Sequence, residues 1–407
     1  MERISTDAGF MQGHSEFGPL DTRPTGRVSS WALRRSTETL GGHAARQVLR
    51  LSEAVGLTGA DSVAYAQTLL TALGPVAERP LALPPERSFL SDDHTPVEFS
   101  LAFVPDGDPT LRVLLEPGYG AGGLAENGRT GLRVVRAMAR DWGFSTKRLD
   151  ELEDLFFPPN PQGPLALWCA LELLPGGVPR VKVYLNPAAS GQERSADTVR
   201  EALRRLGHRR AFAALPEGDR HLFFALDLGD WQEPRVKVYL AHHDLSAAGA
   251  AGLSRLDGGP GRAEIQRFFR TAAGQDVDAD GFGHPDVPLD RRPGLSCHAF
   301  TESRTGLPSG FTLHIPVRDY ARHDGEALDR AVAVLRRHGM DPAPLVRALA
   351  AVTSRRLQDG VGLIAYLGLA YQQGRPPRMN AYISSEAYEV RPPVTAAART
   401  PRPEAVH

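Results

Sequence analysis

Five pairs of short segments share one alternation of apolar and polar residues, clearest in the second member of each pair. Leu111/Val113/Leu115, Val181/Val183/Leu185, Val236/Val238/Leu240, Leu313/Ile315 and Met379/Ala381/Ile383 form one set. Arg112, Arg180/Lys182/Tyr184, Arg235/Lys237/Tyr239, Thr312/His314 and Arg378/Asn380/Tyr382 form the other. A period of two is that of a strand whose two faces meet different surroundings. The first members run over Val97–Val104, Leu165–Leu173, His221–Leu228, Leu295–Thr301 and Val361–Ala370. The second run over Thr110–Glu116, Arg180–Leu185, Arg235–Leu240, Phe311–Val317 and Arg378–Ile383. Turns such as PDGDP, LPGGVP and QQGRPP between members suit hairpins.

Helical periodicity fills the intervals. Thr37–Val55 and Ala60–Leu73 precede the first pair. Leu132/Val135/Met138/Trp142, Val199/Leu203/Leu206, Ile265/Phe268/Phe269 and Leu328/Ala331/Val332/Leu335 each mark one apolar helix face. Ser195 and Asp324 are expected N-caps, Gly207 and Gly339 helix stops, and Asp341-Pro342 a further helix start. The repeating unit is helix–strand–strand–helix, five times over. Ten antiparallel strands close into a barrel without exposed edges. The helices need the apolar strand faces as partners, so the polar faces turn into a wide, wet lumen. The expected fold is α+β: a ten-stranded antiparallel barrel with helices outside. It forms one domain over residues 31–390, between loose tails at 1–30 and 391–407.

Composition sharpens the picture at one point. The 407 residues include three lysines against 44 arginines, and two of those lysines sit in one heptapeptide used twice, PRVKVYL at Pro179–Leu185 and Pro234–Leu240. Three of the nine tyrosines (Tyr184, Tyr239, Tyr382) hold matching inward positions. Converging Arg112, Lys182, Arg235 and Lys237 are costly to bury without a compensating anion. No inward ring of carboxylates is evident, so a bound anion is expected, and arginine forks with lysine point charges suit phosphate oxygens. Tyrosine faces beside them shelter a cation. An anion clamp with an aromatic shield fits ionisation of an allylic diphosphate.

The net charge of −1 gives no global attraction to nucleic acid or membrane. No apolar run is long enough to span a bilayer, and the N-terminus has no apolar signal core, so a cytoplasmic location is expected. Cys169 and Cys297 are expected as buried free thiols. Asp276-x-Asp278-x-Asp280-Gly281 opens like a calcium loop, but its twelfth position is Val287, so a solvated acidic loop is expected. Asp92-Asp93 lacks aspartate-rich magnesium spacing. His242-His243 point to opposite faces of a strand, against a shared metal. The glycine-rich run Gly118–Gly123 is expected as a flexible linker.

The five-unit pattern and the RVKVYL strands resemble the aromatic prenyltransferases of the dimethylallyltryptophan synthase family, with its ABBA barrel, over about residues 35–390. HTPVEFSLAF, His94–Phe103, is the strongest local match. The resemblance implies that Glu98 holds an indole N–H and that the Phe89–Leu90 backbone contacts the amino-acid part of tryptophan. It implies that Arg112, Lys182, Arg235 and Lys237 clamp diphosphate, and that Tyr184, Tyr239 and Tyr382 shield the cation, joined by Tyr366 on inward parity. Thr312 and His314 stand where the family often has Gln and Tyr. The first strand of the second unit, PLALWCALEL, lacks a lysine that fungal members carry there to take the ring proton; Trp168, Cys169 or Ala170 lies near that position. His314, Glu98 and a diphosphate oxygen are then the candidate bases.

The resemblance implies a bacterial-type enzyme moving a dimethylallyl group from its diphosphate to the benzene ring of L-tryptophan, with C6 favoured. It implies no metal or other cofactor, small-molecule partners only, and a monomer or homodimer. The alternatives are another aromatic acceptor (a cyclic dipeptide, tyrosine or polyphenol), or a non-catalytic barrel binding an anionic aromatic ligand.

Overall fold

The computed structural model describes residues 38–229, 235–275, 286–301 and 303–394. Ten strands form a closed barrel: β1 Val97–Phe103, β2 Thr110–Leu115, β3 Leu167–Glu172, β4 Arg180–Leu185, β5 Arg220–Leu228, β6 Val236–His242, β7 Gly294–Phe300, β8 Gly310–Ile315, β9 Ile364–Gln372 and β10 Arg378–Ser384. Every strand pairs antiparallel with its sequence neighbours. Pairing of β1 with β10, from Glu98↔Ser384 to Phe103↔Met379, closes the ring. The two heptapeptides supply β4 and β6, the flanking partners of β5.

Among the described residues seven longer helices lie outside: α1 Leu40–Ala54, α2 Gly59–Leu73, α3 Leu124–Trp142, α4 Ser195–Arg205, α5 Arg262–Ala273, α6 Asp324–Arg337 and α7 Ala343–Val352. Their apolar stripes meet the apolar set of strand residues in one continuous core. Phe99, Leu101, Val113, Val183, Val238 and Leu313 on the barrel pack with Val48, Leu69, Val135, Leu203, Phe269 and Leu335 on the helices. Burial of this shell excludes the charged parity from the outer face, so the alternation decides that the charges go inside. Both cysteines are buried and free. No helix among the described residues is long and apolar enough to cross a membrane.

Several local expectations need correction. Ser195 is the first residue of α4, because a 3₁₀ turn over Gln192–Arg194 runs straight into the helix. Asp324 opens α6 rather than capping it. His323 Nδ1 accepts from Glu326 N at 3.1 Å, while the Asp324 carboxylate turns to the backbone N–H groups of Gly362 (2.9 Å) and Ile364 (3.3 Å). Gly118–Gly123 is packed at its start: a Cβ on Gly118 would lie 2.3 Å from the Asn127 carbonyl oxygen on α3, while Gly122 and Gly123 have open space around them. Among the described residues no helix follows β10. Residue 391, the start of the expected C-terminal tail, is fixed to the body: Arg391 pairs with Asp92 at 2.9 Å. The tail at 1–30 and the acidic loop at 276–281 lie outside the described residues.

Asp324, with a fully buried side chain, also joins Arg355 at 2.5 Å, and Arg355 reaches Glu386 at 2.6 Å. This ion triad ties α6 to the segment after β10. Arg355→Met leaves two buried carboxylates without their cation, and urea denaturation should show a loss of about 3–5 kcal/mol.

Candidate active site

Inward residues of the barrel strands enclose a lumen of about 470 Å³ lined by polar, aromatic and cationic side chains. Its hairpin end carries Arg112, Arg180, Lys182, Arg235, Lys237, Arg375 and Arg378. These sit at or near the beginnings of second strands, where the polar parity meets the open mouth. Two inward carboxylates, Glu172 and Asp227, stand among them and form no matching ring. Asp227 lies 3.0 Å from Lys182 Nζ and 2.6 Å from Arg235 Nη2. Glu172 lies 3.2 Å from Arg112 Nε and 3.6 Å from Arg180 Nη1. Burial opposes ionisation of Asp227, but Lys182, Arg235 and Lys237 outweigh it and hold the carboxyl down to about 2.

Two carboxylates do not match the cations at this end. Among the described residues Lys237 and Arg378 have no ion-pair partner. Burial holds the Lys237 ammonium well below its ordinary value, and Lys182, Arg235 and Arg378 add repulsion. Burial likewise lowers Arg378 to about 10, with Arg112 and Arg235 contributing. Such a ring is poised to take an anion with several oxygens.

Below the cations an aromatic belt crosses the barrel wall. Trp168 on β3 lies 5.2 Å from Phe223 on β5, and Phe223 lies 6.2 Å from Tyr184 on β4. Tyr184 reaches Tyr239 on β6 at 5.7 Å, which reaches His314 on β8 at 5.9 Å. The belt continues through Tyr382 on β10 (5.6 Å) to Tyr366 on β9 (6.4 Å). A register shift between Tyr382 and Ile383 accompanies this turn of the belt. Tyr239 is 7% exposed, and burial keeps its hydroxyl protonated well above the usual range.

The far end of the lumen belongs to Glu98. Burial pushes its carboxyl up to about 7 against the opposing pull of Arg318, and Asp92 adds to the rise. Arg318, on the short turn after β8, lies over the Tyr366 ring at 5.1 Å and pairs with Asp92 at 3.2 Å. Asp92 also pairs with Arg292 at 3.1 Å, so this acidic residue anchors a strap across the barrel end. Leu90, on that strap, is buried against Leu165 and Trp168.

The structure therefore brings Glu98, Arg112, Lys182, Tyr184, Arg235, Lys237, Tyr239, Thr312, His314 and Tyr382 into one lumen. Tyr366 pairs across the strands with Tyr382, shares its inward parity and carries the belt on toward Arg318. Phe89 is 53% exposed. On β3, Trp168 and Ala170 face inward and Cys169 outward, opposite Val183. Arg180, Arg378, Glu172 and Asp227 also line the site, although sequence reasoning did not name them as site residues. The inward parity of Arg180, Arg378 and Asp227 was the available signal. Trp168, Phe223 and Arg318 were also missed. His242 and His243 do point apart, His242 to Ser296 and His243 to Asp219.

A family model described as tryptophan dimethylallyltransferase matches residues 63–344. The crystal structure of the prenyltransferase PriB with L-tryptophan and dimethylallyl thiolodiphosphate is 63% identical, with a TM-score of 0.83, covering 88% of this chain and 99% of that one. The 5-dimethylallyl tryptophan synthase from Streptomyces coelicolor is 62% identical, with a TM-score of 0.83, covering 89% of this chain and 100% of that one. The 6-dimethylallyltryptophan synthase from Micromonospora olivasterospora is 41% identical, with a TM-score of 0.79, covering 87% and 99%. With a charged lumen inside a ten-stranded barrel, and with these matches over most of its length, the chain belongs to the tryptophan dimethylallyltransferase family of prenyltransferases.

Proposed function

We propose that the enzyme transfers a dimethylallyl group from dimethylallyl diphosphate to a benzene-ring carbon of L-tryptophan without a metal. One observation carries this reading: a cation-rich mouth, an aromatic belt and a buried carboxylate succeed one another along a single lumen. The two relatives solved with tryptophan and a dimethylallyl diphosphate analogue at 62–63% identity support the substrate pair.

Lys237, Arg378 and their neighbours stabilise the charge that develops on the leaving diphosphate. Tyr184, Tyr239 and Tyr382 present ring faces to the allyl cation and exclude water from it. Glu98, as carboxylate, accepts the indole N–H and raises electron density in the ring. The strap at Leu90 bounds the acceptor end, with the Phe89–Leu90 backbone facing the amino-acid part of tryptophan. Position of attack then follows from how the ring lies against the belt. C6 is the expectation stated above, and no single residue of the sequence fixes it. The 62% identical relative is named for C5 and the 41% identical one for C6, so product NMR decides between the two.

Three outcomes test the reading. Incubation with tryptophan and dimethylallyl diphosphate should give one ring-prenylated tryptophan by mass spectrometry and NMR. Turnover should stay within about twofold after EDTA, since the clamp is made of protein cations; loss on chelation counts against the metal-free mechanism. Lys237→Ala should lower kcat by about 10²–10³-fold while calorimetry shows little change in tryptophan affinity. Equal loss of both would point to a role in acceptor binding instead.

A fourth outcome concerns pH. With the Glu98 carboxyl near 7 in the free enzyme, the active carboxylate is present above that value and lost below it. kcat/KM for tryptophan should therefore rise with pH and level off above about 7. Glu98→Gln should abolish that limb and lower kcat/KM by about 10²-fold.

A further inference from the structure

Alkylation leaves a proton on the attacked ring carbon, and the lumen offers few groups to take it. The inward positions of β3, Trp168 and Ala170, carry no base. Glu172 and Asp227 are held in ion pairs at the hairpin end. Glu98 is engaged with the indole N–H in the reaction proposed above.

His314 is different. It is 5% exposed and lines the lumen in the middle of the aromatic belt, between Tyr239 and Tyr382. Its Nε2 lies 3.1 Å from Tyr382 Oη. Gly368 on β9 leaves room for the ring: a Cβ there would lie 3.0 Å from His314 Cδ2. Burial, and then the nearby Lys237, hold the imidazole down to about 3, so at neutral pH it is uncharged and one ring nitrogen keeps a lone pair.

We infer that Tyr382 and His314 form the proton exit of the transfer reaction. Tyr382 Oη takes the proton from the alkylated carbon while its own proton passes to His314 Nε2. The C–H bond breaks and its electron pair restores the aromatic ring. The tyrosine ends with the proton count it began with, and the histidine becomes imidazolium. A weak base suffices, because the protonated, alkylated ring is far more acidic than an imidazolium. In a buried setting beside Lys237 the imidazolium is unfavourable, so it passes its proton to the departing diphosphate and the dyad is reset. Tyr382 thus has two tasks: its ring face shelters the cation and its hydroxyl carries the proton.

This inference rests on the proposed reaction, and ring-deuterated tryptophan separates the two. In the wild type, deprotonation follows a slower ionisation, so kcat should be the same for protiated and deuterated tryptophan. In His314→Phe and in Tyr382→Phe, kcat should fall by at least about tenfold and its isotope effect should rise to about 2 or more. The double variant should be no slower than the slower single one. Tyr382→Phe keeps the aromatic ring and removes only the hydroxyl. His314→Gln keeps a hydrogen-bonding group but takes no proton, and gives the same readout if His314→Phe does not fold. Turnover within twofold of wild type, or a slow variant with no isotope effect, overturns the inference. A wild type that forms no prenylated tryptophan overturns the reaction itself.

Discussion

The constraint behind this structure is an imbalance of charge inside a closed ring of strands. Arg112, Lys182, Arg235, Lys237 and Arg378 share the parity that the outer helices reject, and closure leaves that parity only the lumen. Asp227 and Glu172 neutralise part of the set and fix the orientation of its members. Lys237 and Arg378 are left with lowered proton affinity and no protein counter-ion among the described residues. Electrostatic work done in folding the barrel is returned when an anion with several oxygens enters. The lumen is thus pre-organised for charge separation, because its cations need no rearrangement when a leaving group departs.

The aromatic belt gives that charge separation a direction. From Trp168 through Phe223, Tyr184, Tyr239, His314 and Tyr382, neighbouring rings are 5.2–6.2 Å apart. They divide a cation-rich mouth from the end held by Glu98 and Arg318. A positive carbon formed at the mouth therefore meets ring faces before it meets water. The uncharged His314 belongs to the same layer. An imidazolium there would repel the very intermediate the layer shelters, and burial beside Lys237 prevents it.

Much of this was legible in the chain because strand alternation is short-ranged. RVKVYL has one parity wherever it is placed, and Lys182 and Lys237 follow from it without knowledge of the fold. The first strands were harder. PLALWCALEL is apolar on both faces, so Glu172 and Trp168 did not register as inward, and Phe223, although of inward parity, carried no polar group to mark it as part of a site. Arg318 stands on a four-residue turn with no period of its own; only the approach of the Asp92 strap and Tyr366 gives it a place. The capping errors have a similar cause. Ser195 and Asp324 have the right side chains, but their roles were decided by a preceding 3₁₀ turn and by backbone donors about 40 residues later in the chain.

The seam between β1 and β10 has a consequence for biosynthesis. Ring closure joins residues near 98 to residues near 384, so the final seal waits until β10 has left the ribosome. Until then Val97–Phe103 is an unpaired ribbon edge, and the inward arginines and lysines are open to solvent on one side. Such long-range pairing is slow and leaves a nascent chain vulnerable to self-association. An enzyme built this way acquires its reaction chamber in one late step, after the other nine seams are in place.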